Sequence, residues 1–449
     1  MMRSNNFSST LLRGILTGSA SGILFGFDTA VIAGSTALLT QQYHLSERAL
    51  GITVSIALWG TVVGSLTAGR IAQQFGGRSS LSLLAFCYLI SAIGCAFAPG
   101  WFWLLVARFV GGLGVGGTSV VGPVYIAEIA PARWRGRMVG LFQINVVLGV
   151  LLAYLSNFLL ERASLPFALW RWQLGIGMVP AALLLLLLIR TPESPRWLIS
   201  RGYLNDAKQV LDALGSENAK AQLEIIEQSF REEVEHEKAP LFTRALMRPL
   251  LLAAALAAFN QLSGINAILY YLNDVFAAAG YNRLTSSSLA VDVGLMNLVA
   301  TICAISIIDY LGRRLLLLIG SVGMALSLAS IAWIFHAHAH RNALILLLAT
   351  YMVSFAISQG AVIWVYISEI FPNATRSRGQ SLGSTTHWIM NAVIAGIFPV
   401  LVTEGMWLPF ATFAAMMALQ FVVVWFYLPE TRGMTLEQIT HLLRPKALP

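Results

Sequence analysis

Long apolar stretches recur along this chain of 449 residues and limit its possible folds more than any other feature. Twelve of them approach the ~20 residues that a helix needs to cross a bilayer, and none alternates polar and apolar residues as membrane-barrel strands do. Charged residues make up 11% of the chain, against about 25% in soluble domains. A soluble fold would leave too much apolar surface in water. The sequence therefore predicts an all-α membrane protein with twelve transmembrane helices.

The basic residues predict which side of the lipid bilayer each loop occupies. With the N terminus in the cytoplasm, fourteen Arg and Lys residues fall in the inner short loops and tails, against five in the outer loops. This bias fits the positive-inside rule, so we expect both termini in the cytoplasm. Short loops favour a multi-pass protein of a bacterial inner (plasma) membrane. The net charge of +8 reflects the same bias, and no polybasic run indicates a nucleic-acid partner.

No motif for a metal, a cofactor or catalysis is apparent. Cys87, Cys95 and Cys303 all fall within apolar stretches, which is typical of small buried residues. The run His336–His340 carries three histidines, but it lies at a predicted outer loop, where histidine is tolerated. A membrane enzyme would need a catalytic constellation, and neither a His-Glu-x-x-His motif nor a nucleophile elbow is present. We therefore expect neither an enzyme nor a metal site.

The two halves of the sequence repeat each other. Residues Tyr125–Arg137 align without gaps to Tyr366–Arg378, with seven of thirteen positions identical at an offset of 241. Because six is an even number, two copies of a six-helix unit enter the membrane in the same direction. Such parallel repeats are typical of transporters that bind their substrate between the halves. Two further segment pairs recur at offsets of 236 and 237: Gln73–Arg78 with Asp309–Arg314, and Pro192-Glu193 with Pro429-Glu430.

The one long polar stretch sets the predicted domain boundaries. Residues 1–189 and 249–428 are expected to form the two six-helix halves. Residues 190–248 between them mix charged residues with spaced apolar ones, which predicts a cytoplasmic linker of short amphipathic helices. Residues 429–449 are expected to form a cytoplasmic tail.

Two charged residues lie deep within predicted spans, where charge is costly. Asp28 falls in the middle of the first span and Arg108 in the fourth, at depths that long side chains can bridge. Such an ion pair can be a static lock between two helices or a switch that releases Arg108 when Asp28 is protonated. The cost of a mid-membrane carboxylate favours the switch. Asp292, near the outer end of the eighth span, is expected to be solvated at the mouth, with a role in substrate entry or a second protonation as the alternatives.

Charged residues at the cytoplasmic ends of the spans recur in both halves. Their equivalent places predict an ionic latch that closes the inner gate. Where the second copy has Asp309 and Arg313, the first copy has Gln73 and Gly77, which weakens the predicted latch. The predicted gate comprises Glu128, Arg135, Arg137, Glu369, Arg376, Arg378, Asp309, Arg313 and Arg314.

Uncharged polar side chains cluster on four other predicted spans. An amide offers a donor and an acceptor on one group, and tryptophan offers a flat apolar face. A single buried amide is more often a link between helices, but four spans that carry such groups favour a small, neutral, polyhydroxylated ligand. The chief members are Gln143 and Asn145, then Asn260, Gln261, Asn266, Tyr270 and Tyr271, then Gln359, Trp364 and Tyr366, and finally His387, Trp388 and Asn391.

Together these segments resemble the sugar porters of the major facilitator superfamily. The pair of Pro-Glu-Ser-Pro-Arg and Pro-Glu-Thr-Arg-Gly motifs is especially specific. Matching segments span the chain: Gly26–Asp28, Arg108–Gly116, Pro192–Leu198, Gln261–Tyr271, Asp309–Arg314, Trp364–Pro372 and Pro429–Gly433.

The resemblance implies the major facilitator fold and a set of functional residues. It implies that Asp28 is the proton-coupling carboxylate and that Arg108 modulates it. Asn260 and His387 depart from the residues usual in the family, which leaves the identity of the sugar open. The implied sugar site comprises Phe25, Gln143, Asn260, Gln261, Asn266, Tyr270, Gly360, Trp364, His387, Trp388 and Asn391.

The favoured hypothesis is proton-coupled symport of a monosaccharide, a hexose or a pentose, by alternating access. The expected partners are the sugar, the proton and the lipid bilayer, with no cofactor beyond the coupling proton. One chain suffices for this architecture, so we expect a functional monomer. A facilitative sugar or cyclitol uniporter and a non-transporting membrane sugar sensor are the alternatives. A drug-efflux pump is disfavoured by the amide-rich set of residues.

Overall fold

The computed structural model describes residues 8–438, apart from 132, 164, 166–167, 217, 237–240, 245, 373–374, 433 and 435–437. At residues 229–236, 305–310 and 377 it describes the backbone alone. All regular secondary structure in these residues is helical.

Within the described part of the chain, twelve helical segments are long and apolar enough to cross a membrane, which confirms the predicted fold class. We number them as spans in chain order. They are span 1 Ser9–Gly34, span 2 Glu47–Phe75, span 3 Gly77–Ala96, span 4 Trp101–Ile129, span 5 Arg135–Arg162, span 6 Leu169–Ile189, span 7 Met247–Tyr270, span 8 Arg283–Ala304, span 9 Arg313–Ala337, span 10 Arg341–Glu369, span 11 Arg378–Val402 and span 12 Trp407–Tyr427.

Shorter helices connect the spans. Thr36–Tyr43 follows span 1, and Leu272–Ala278 follows span 7. Three helices lie between spans 6 and 7: Pro195–Ser200, Leu204–Ala213 and Ala219–His236.

The internal repeat is visible as the same contacts in both copies. The Glu193 carboxylate accepts a hydrogen bond from the backbone N–H of Arg78 at 2.9 Å. Glu430 accepts the equivalent bond from the backbone N–H of Arg314 at 3.0 Å. Two further contacts recur in the same way: Arg78 to the Leu188 carbonyl with Arg314 to the Trp425 carbonyl, and the Tyr125 hydroxyl to the Pro192 carbonyl with the Tyr366 hydroxyl to the Pro429 carbonyl.

These glutamates lie at the N termini of spans 3 and 9. The residue before each span is a glycine with a left-handed backbone, Gly76 at φ 88° and Gly312 at φ 87°. This conformation costs glycine little and aims the first free N–H groups of the helix at the carboxylate. A negative charge at that place also complements the helix dipole. In each repeat, the glycine before the span and the glutamate of the Pro-Glu pair therefore cap the N terminus of the helix together.

The chain divides into two compact units. Unit 1 comprises the described residues of Met1–Asp28, Gly60–Val150 and Leu174–Lys238. Unit 2 comprises those of Thr29–Trp59, Leu151–Gln173 and Ala239–Pro449. The second repeat thus lies in unit 2 together with two segments of the first. The predicted domain boundaries follow the sequence repeat and stay a prediction.

The segment Leu151–Gln173 of the first repeat makes specific contacts within unit 2. The Tyr154 hydroxyl donates to the Leu269 carbonyl at 2.8 Å, and Arg283 forms an ion pair with Glu161 at 3.1 Å. These contacts lie at the end of unit 2 where span 7 finishes and span 8 begins. We call it the distal end.

Candidate functional site

Span 7 is interrupted at its centre. Its first helix, Met247–Leu262, ends before Ser263, and a second helix, Ile265–Tyr270, begins after Gly264. Gly264 has a φ of 83°, a conformation that glycine adopts readily and that breaks the helical ladder. The Ser263 carbonyl freed by the break accepts a hydrogen bond from the Tyr351 hydroxyl at 2.9 Å. The break brings polar side chains from both helices together.

Four side chains form a connected hydrogen-bonded chain around this break. Asn266 Nδ2 donates to Gln261 Oε1 at 3.0 Å, and Gln261 Nε2 donates to Asn260 Oδ1 at 2.9 Å. The same Nε2 lies 3.2 Å from a ring nitrogen of His387 on span 11. That ring nitrogen accepts the bond, because an amide nitrogen can only donate. We call Asn260, Gln261, Asn266 and His387 the amide–imidazole chain; it carries hydrogen-bonding groups but no formal charge while His387 is neutral.

Aromatic rings flank the imidazole of His387. The ring centroids of Trp364 and Trp388 each lie 5.1 Å from that of His387. Trp388 is buried, whereas Trp364 is 38% exposed. Trp364 follows a π-helical turn, Ala356–Gly360, which interrupts the α-helix of span 10 and ends at the predicted site residue Gly360. Trp364 therefore offers an open aromatic face beside polar groups.

A second polar contact joins spans 7 and 11. The Tyr270 hydroxyl and the Asn391 amide exchange hydrogen bonds at 3.1 and 3.2 Å, and both residues are buried. The structure thus groups the predicted site residues of unit 2 on spans 7, 10 and 11. Phe25 and Gln143 lie in unit 1. The binding role of all these residues stays a prediction.

Within unit 1, the predicted charge pair is close enough to interact. Arg108 is buried on span 4, and its positive charge acts on the Asp28 carboxyl of span 1. The charges of Asp28 and Arg108 both act on Tyr88 and Cys95 of span 3. The sequence reasoning missed Tyr88, whose signal was a lone tyrosine in an apolar span.

The predicted gate residues fall into two sets. In unit 2, Arg313 Nη2 forms an ion pair with Glu369 Oε1 at 3.1 Å, and the Thr431 hydroxyl donates to Glu369 Oε2 at 2.6 Å. Arg314 is engaged by a backbone carbonyl, as described above. Arg376 is half-buried, and its Nε and Nη2 atoms have no hydrogen-bond partner among the described residues, while Arg378 is half-buried.

The gate residues of unit 1 lie near the start of span 5. Arg135 and Arg137 are exposed, and the Arg137 guanidinium lies 5.2 Å from the centroid of the Trp134 ring. Glu128 lies at the end of span 4 in the same unit. The side chain of Asp309 lies outside the described residues. The latch between the halves stays a prediction.

Comparison with known proteins decides the family. The pattern of the family described as "Sugar (and other) transporter" matches residues 15–443. The chain belongs to this family. It is therefore a sugar transporter of the major facilitator type rather than an enzyme, as the motif resemblance implies.

Individual relatives cover nearly the whole length of the chain. It is 34% identical to the arabinose-proton symporter of Bacillus subtilis, over 98% of this chain and 96% of the relative. It is also 34% identical to the D-xylose transporter of Levilactobacillus brevis, over 96% of this chain and 95% of the relative. Among solved structures, a partially occluded inward-open conformation of the xylose transporter XylE from Escherichia coli matches with a TM-score of 0.85 at 30% identity, covering 95% of this chain and all of that one.

Proposed function

We propose that this chain takes up a monosaccharide together with a proton. The observation that carries the sugar half of the proposal is the amide–imidazole chain beside the open face of Trp364. The relatives named for xylose and arabinose support a pentose or a hexose as the substrate.

The chemistry of the amide–imidazole chain suits a neutral sugar. Each sugar hydroxyl both donates and accepts, as amides and a neutral imidazole do. The apolar face of a pyranose ring can lie against an aromatic face such as that of Trp364. An anionic substrate would leave its charge uncompensated here, because no member of the chain is cationic while His387 is neutral.

The buried Asp28–Arg108 pair supports the coupling to protons. A carboxylate within a span is expensive to bury, and the positive charge of Arg108 offsets part of that cost. Protonation of Asp28 removes its charge and releases Arg108 from the pair. Since a proton that enters from outside can trigger this release, the pair can couple helix movement to the proton gradient. The relative named as an arabinose-proton symporter agrees with this mechanism.

The orientation follows from the charge bias of the loops. We place both termini in the cytoplasm and the distal end of unit 2 outside, in a bacterial inner membrane. Substrate and proton then enter from the distal side and leave toward the termini by alternating access.

Uptake into proteoliposomes tests the proposal. Labelled xylose, glucose, galactose and inositol are offered with and without an inward proton gradient. Accumulation above equilibrium that a protonophore abolishes is the expected result. Asp28→Asn is expected to lose accumulation and to keep sugar exchange. Equilibration that ignores the gradient would instead make the protein a uniporter.

A further inference from the structure

A second acidic residue lies at the distal end of unit 2, away from the amide–imidazole chain. Asp274 belongs to the helix Leu272–Ala278, beyond the end of span 7 at Tyr270. The residue is half-buried, but its Oδ2 atom is buried and has no hydrogen-bond partner among the described residues. A buried carboxylate oxygen without a donor is costly, and the cost falls when the group is protonated.

Among the described residues, no positive charge acts on Asp274, and Arg341 donates instead to the Ala279 carbonyl just after the same helix, at 3.1 Å. The helix Leu272–Ala278 packs against the turn Ile32–Gly34, which carries no titratable side chain. The Thr36 hydroxyl, two residues further on, is hydrogen-bonded to the carboxyl group. The nearby charge that acts on Asp274 is that of Glu47 at the start of span 2, and it is also negative.

The remaining neighbour is span 8, which packs along the same helix. Its Ser287 accepts a hydrogen bond from Asn273, the residue before Asp274. Arg283 on span 8 is engaged by Glu161. Asp292 lies five residues beyond Ser287, about 7.5 Å further along the helix axis. The helix Ile265–Tyr270 ends in Tyr270, whose hydroxyl is bonded to Asn391.

These surroundings change the acidity of Asp274. Burial raises the pKa of its carboxyl from the ordinary 3.8 to about 7; the Thr36 hydrogen bond lowers the pKa and the Glu47 charge raises it, both by less than burial does.

We propose that Asp274 is a second proton-binding site. Its protonated form holds the segment after span 1 against the helix Leu272–Ala278, and its ionised form releases that segment. Here the latch means this contact at the distal end and not the predicted gate at the cytoplasmic side. The segment Thr29–Trp59 comes from the first repeat and the helix Leu272–Ala278 from the second, so this contact joins the two repeats at the distal end. Alternating access requires such a contact to break when the distal side opens.

The direction of the pH effect follows from the pKa of the Asp274 carboxyl when the distal end is closed and when it is open. The closed distal end binds the proton with the raised pKa, and the open end, where water solvates the carboxyl, binds it with the ordinary pKa. Acid therefore favours closure. The ratio of open to closed protein rises with pH between about 4 and 7, by at most about tenfold for each pH unit, and is constant above that range.

The latch goes beyond the proposed symport and does not depend on it. A uniporter with the same distal end would show the same pH response. The experiment therefore measures distance rather than transport, with the same pH on both sides of the membrane.

Nitroxide labels report the opening of the distal end. They are placed at Gln42→Cys and Leu284→Cys, both exposed positions, in full-length protein with Cys87, Cys95 and Cys303 replaced by alanine. Electron–electron double resonance in nanodiscs then gives the distance distribution from pH 5 to pH 8. In the labelled parent, a longer distance is expected to grow at the expense of the short one as pH rises.

Variants separate Asp274 from the other acids. Asp274→Asn is expected to keep the short distance at every pH, whereas Asp292→Asn, the matched control on span 8, behaves as the parent. Thr36→Val removes a hydrogen bond to the carboxyl and is expected to move the midpoint to higher pH. Thr36→Val also carries the test if Asp274→Asn does not fold.

Three outcomes would overturn the latch. They are a parent distribution that ignores pH, an Asp274→Asn protein that keeps the parental response, and a Thr36→Val midpoint that does not move upward. A response that disappears in Asp28→Asn but persists in Asp274→Asn would belong to Asp28 and would also reject the proposal. The uptake result with Asp28→Asn decides the symport separately.

Discussion

Gln261 on span 7 donates a hydrogen bond to a ring nitrogen of His387 on span 11 at 3.2 Å, and both side chains are buried. The bond joins two helices that the break at Gly264 would otherwise leave less firmly connected. Because Gln261 also bonds Asn260 and Asn266, it is the central member of the amide–imidazole chain. In the proposed binding mode, its position fixes the donor and acceptor directions that the sugar meets.

Replacing Gln261 tests that central role. Gln261→Leu leaves a donor on Asn266 and acceptors on Asn260 and His387 without their partner, and each unpaired group costs about 1–3 kcal/mol. We expect the dissociation constant for the transported sugar, measured by isothermal titration calorimetry, to rise at least about tenfold. Gln420→Leu is the matched control, because it removes a buried amide that bonds Gln359 instead. Equal affinity in the two variants would contradict the role of Gln261.

Trp364 is expected to contribute by stacking on the sugar. Trp364→Ala removes a partly exposed aromatic face and is expected to weaken sugar binding by about 0.5–1.5 kcal/mol or more, whereas Trp364→Phe keeps most of the affinity. Trp333→Ala, at a more exposed tryptophan of span 9, is the control and is expected to bind as the parent does. Tight binding by Trp364→Ala would place the sugar elsewhere.

The capping glutamates offer a test of the repeat. Glu193→Gln and Glu430→Gln each weaken the hydrogen bonds to a helix N terminus and remove a favourable charge there, at a cost of about 1 kcal/mol. Because the two contacts are equivalent, we expect similar decreases in melting temperature, measured by thermal unfolding in detergent. Glu404→Gln, an exposed acid just after span 11, is expected to change it little. A loss confined to one copy would show that the repeats are not energetically equivalent.

The sequence predicted what depends on composition and periodicity. The twelve spans follow from hydropathy, because a bilayer accepts almost nothing but apolar helices. The repeat follows from matched motifs, and its capping contacts show why those motifs recur as pairs. The structure brings the predicted site residues Gln261, His387 and Trp364 together, and their role in sugar binding stays a prediction.

Features that depend on packing between distant segments were not predictable. Gly264 and the π-helical turn Ala356–Gly360 break helices at places that hydropathy does not mark. Asp274 sits in an apolar stretch, and only the packing of the folded chain shows that its Oδ2 atom is buried without a hydrogen-bond partner among the described residues. The assignment of Thr29–Trp59 to unit 2 likewise depends on contacts rather than on sequence order.

The thermal stability of variants of the Asp28–Arg108 pair helps to distinguish a protonation switch from a static lock. Arg108→Gln leaves the Asp28 carboxylate buried without its positive partner, which costs about 3–5 kcal/mol when a buried pair is broken. The variant is therefore expected to unfold at a lower temperature at neutral pH and to recover part of the loss in acid, where Asp28 is neutral.

The double variant Asp28→Asn with Arg108→Gln removes both charges and is expected to be more stable than Arg108→Gln alone. A switch further requires that the double variant loses proton-driven accumulation while it keeps sugar exchange, because exchange needs only the amide–imidazole chain and helix movement. If the pair is instead a static lock between two helices, its removal is expected to abolish sugar exchange as well. Thermal unfolding across pH, together with counterflow and uptake on these two variants, separates these mechanisms.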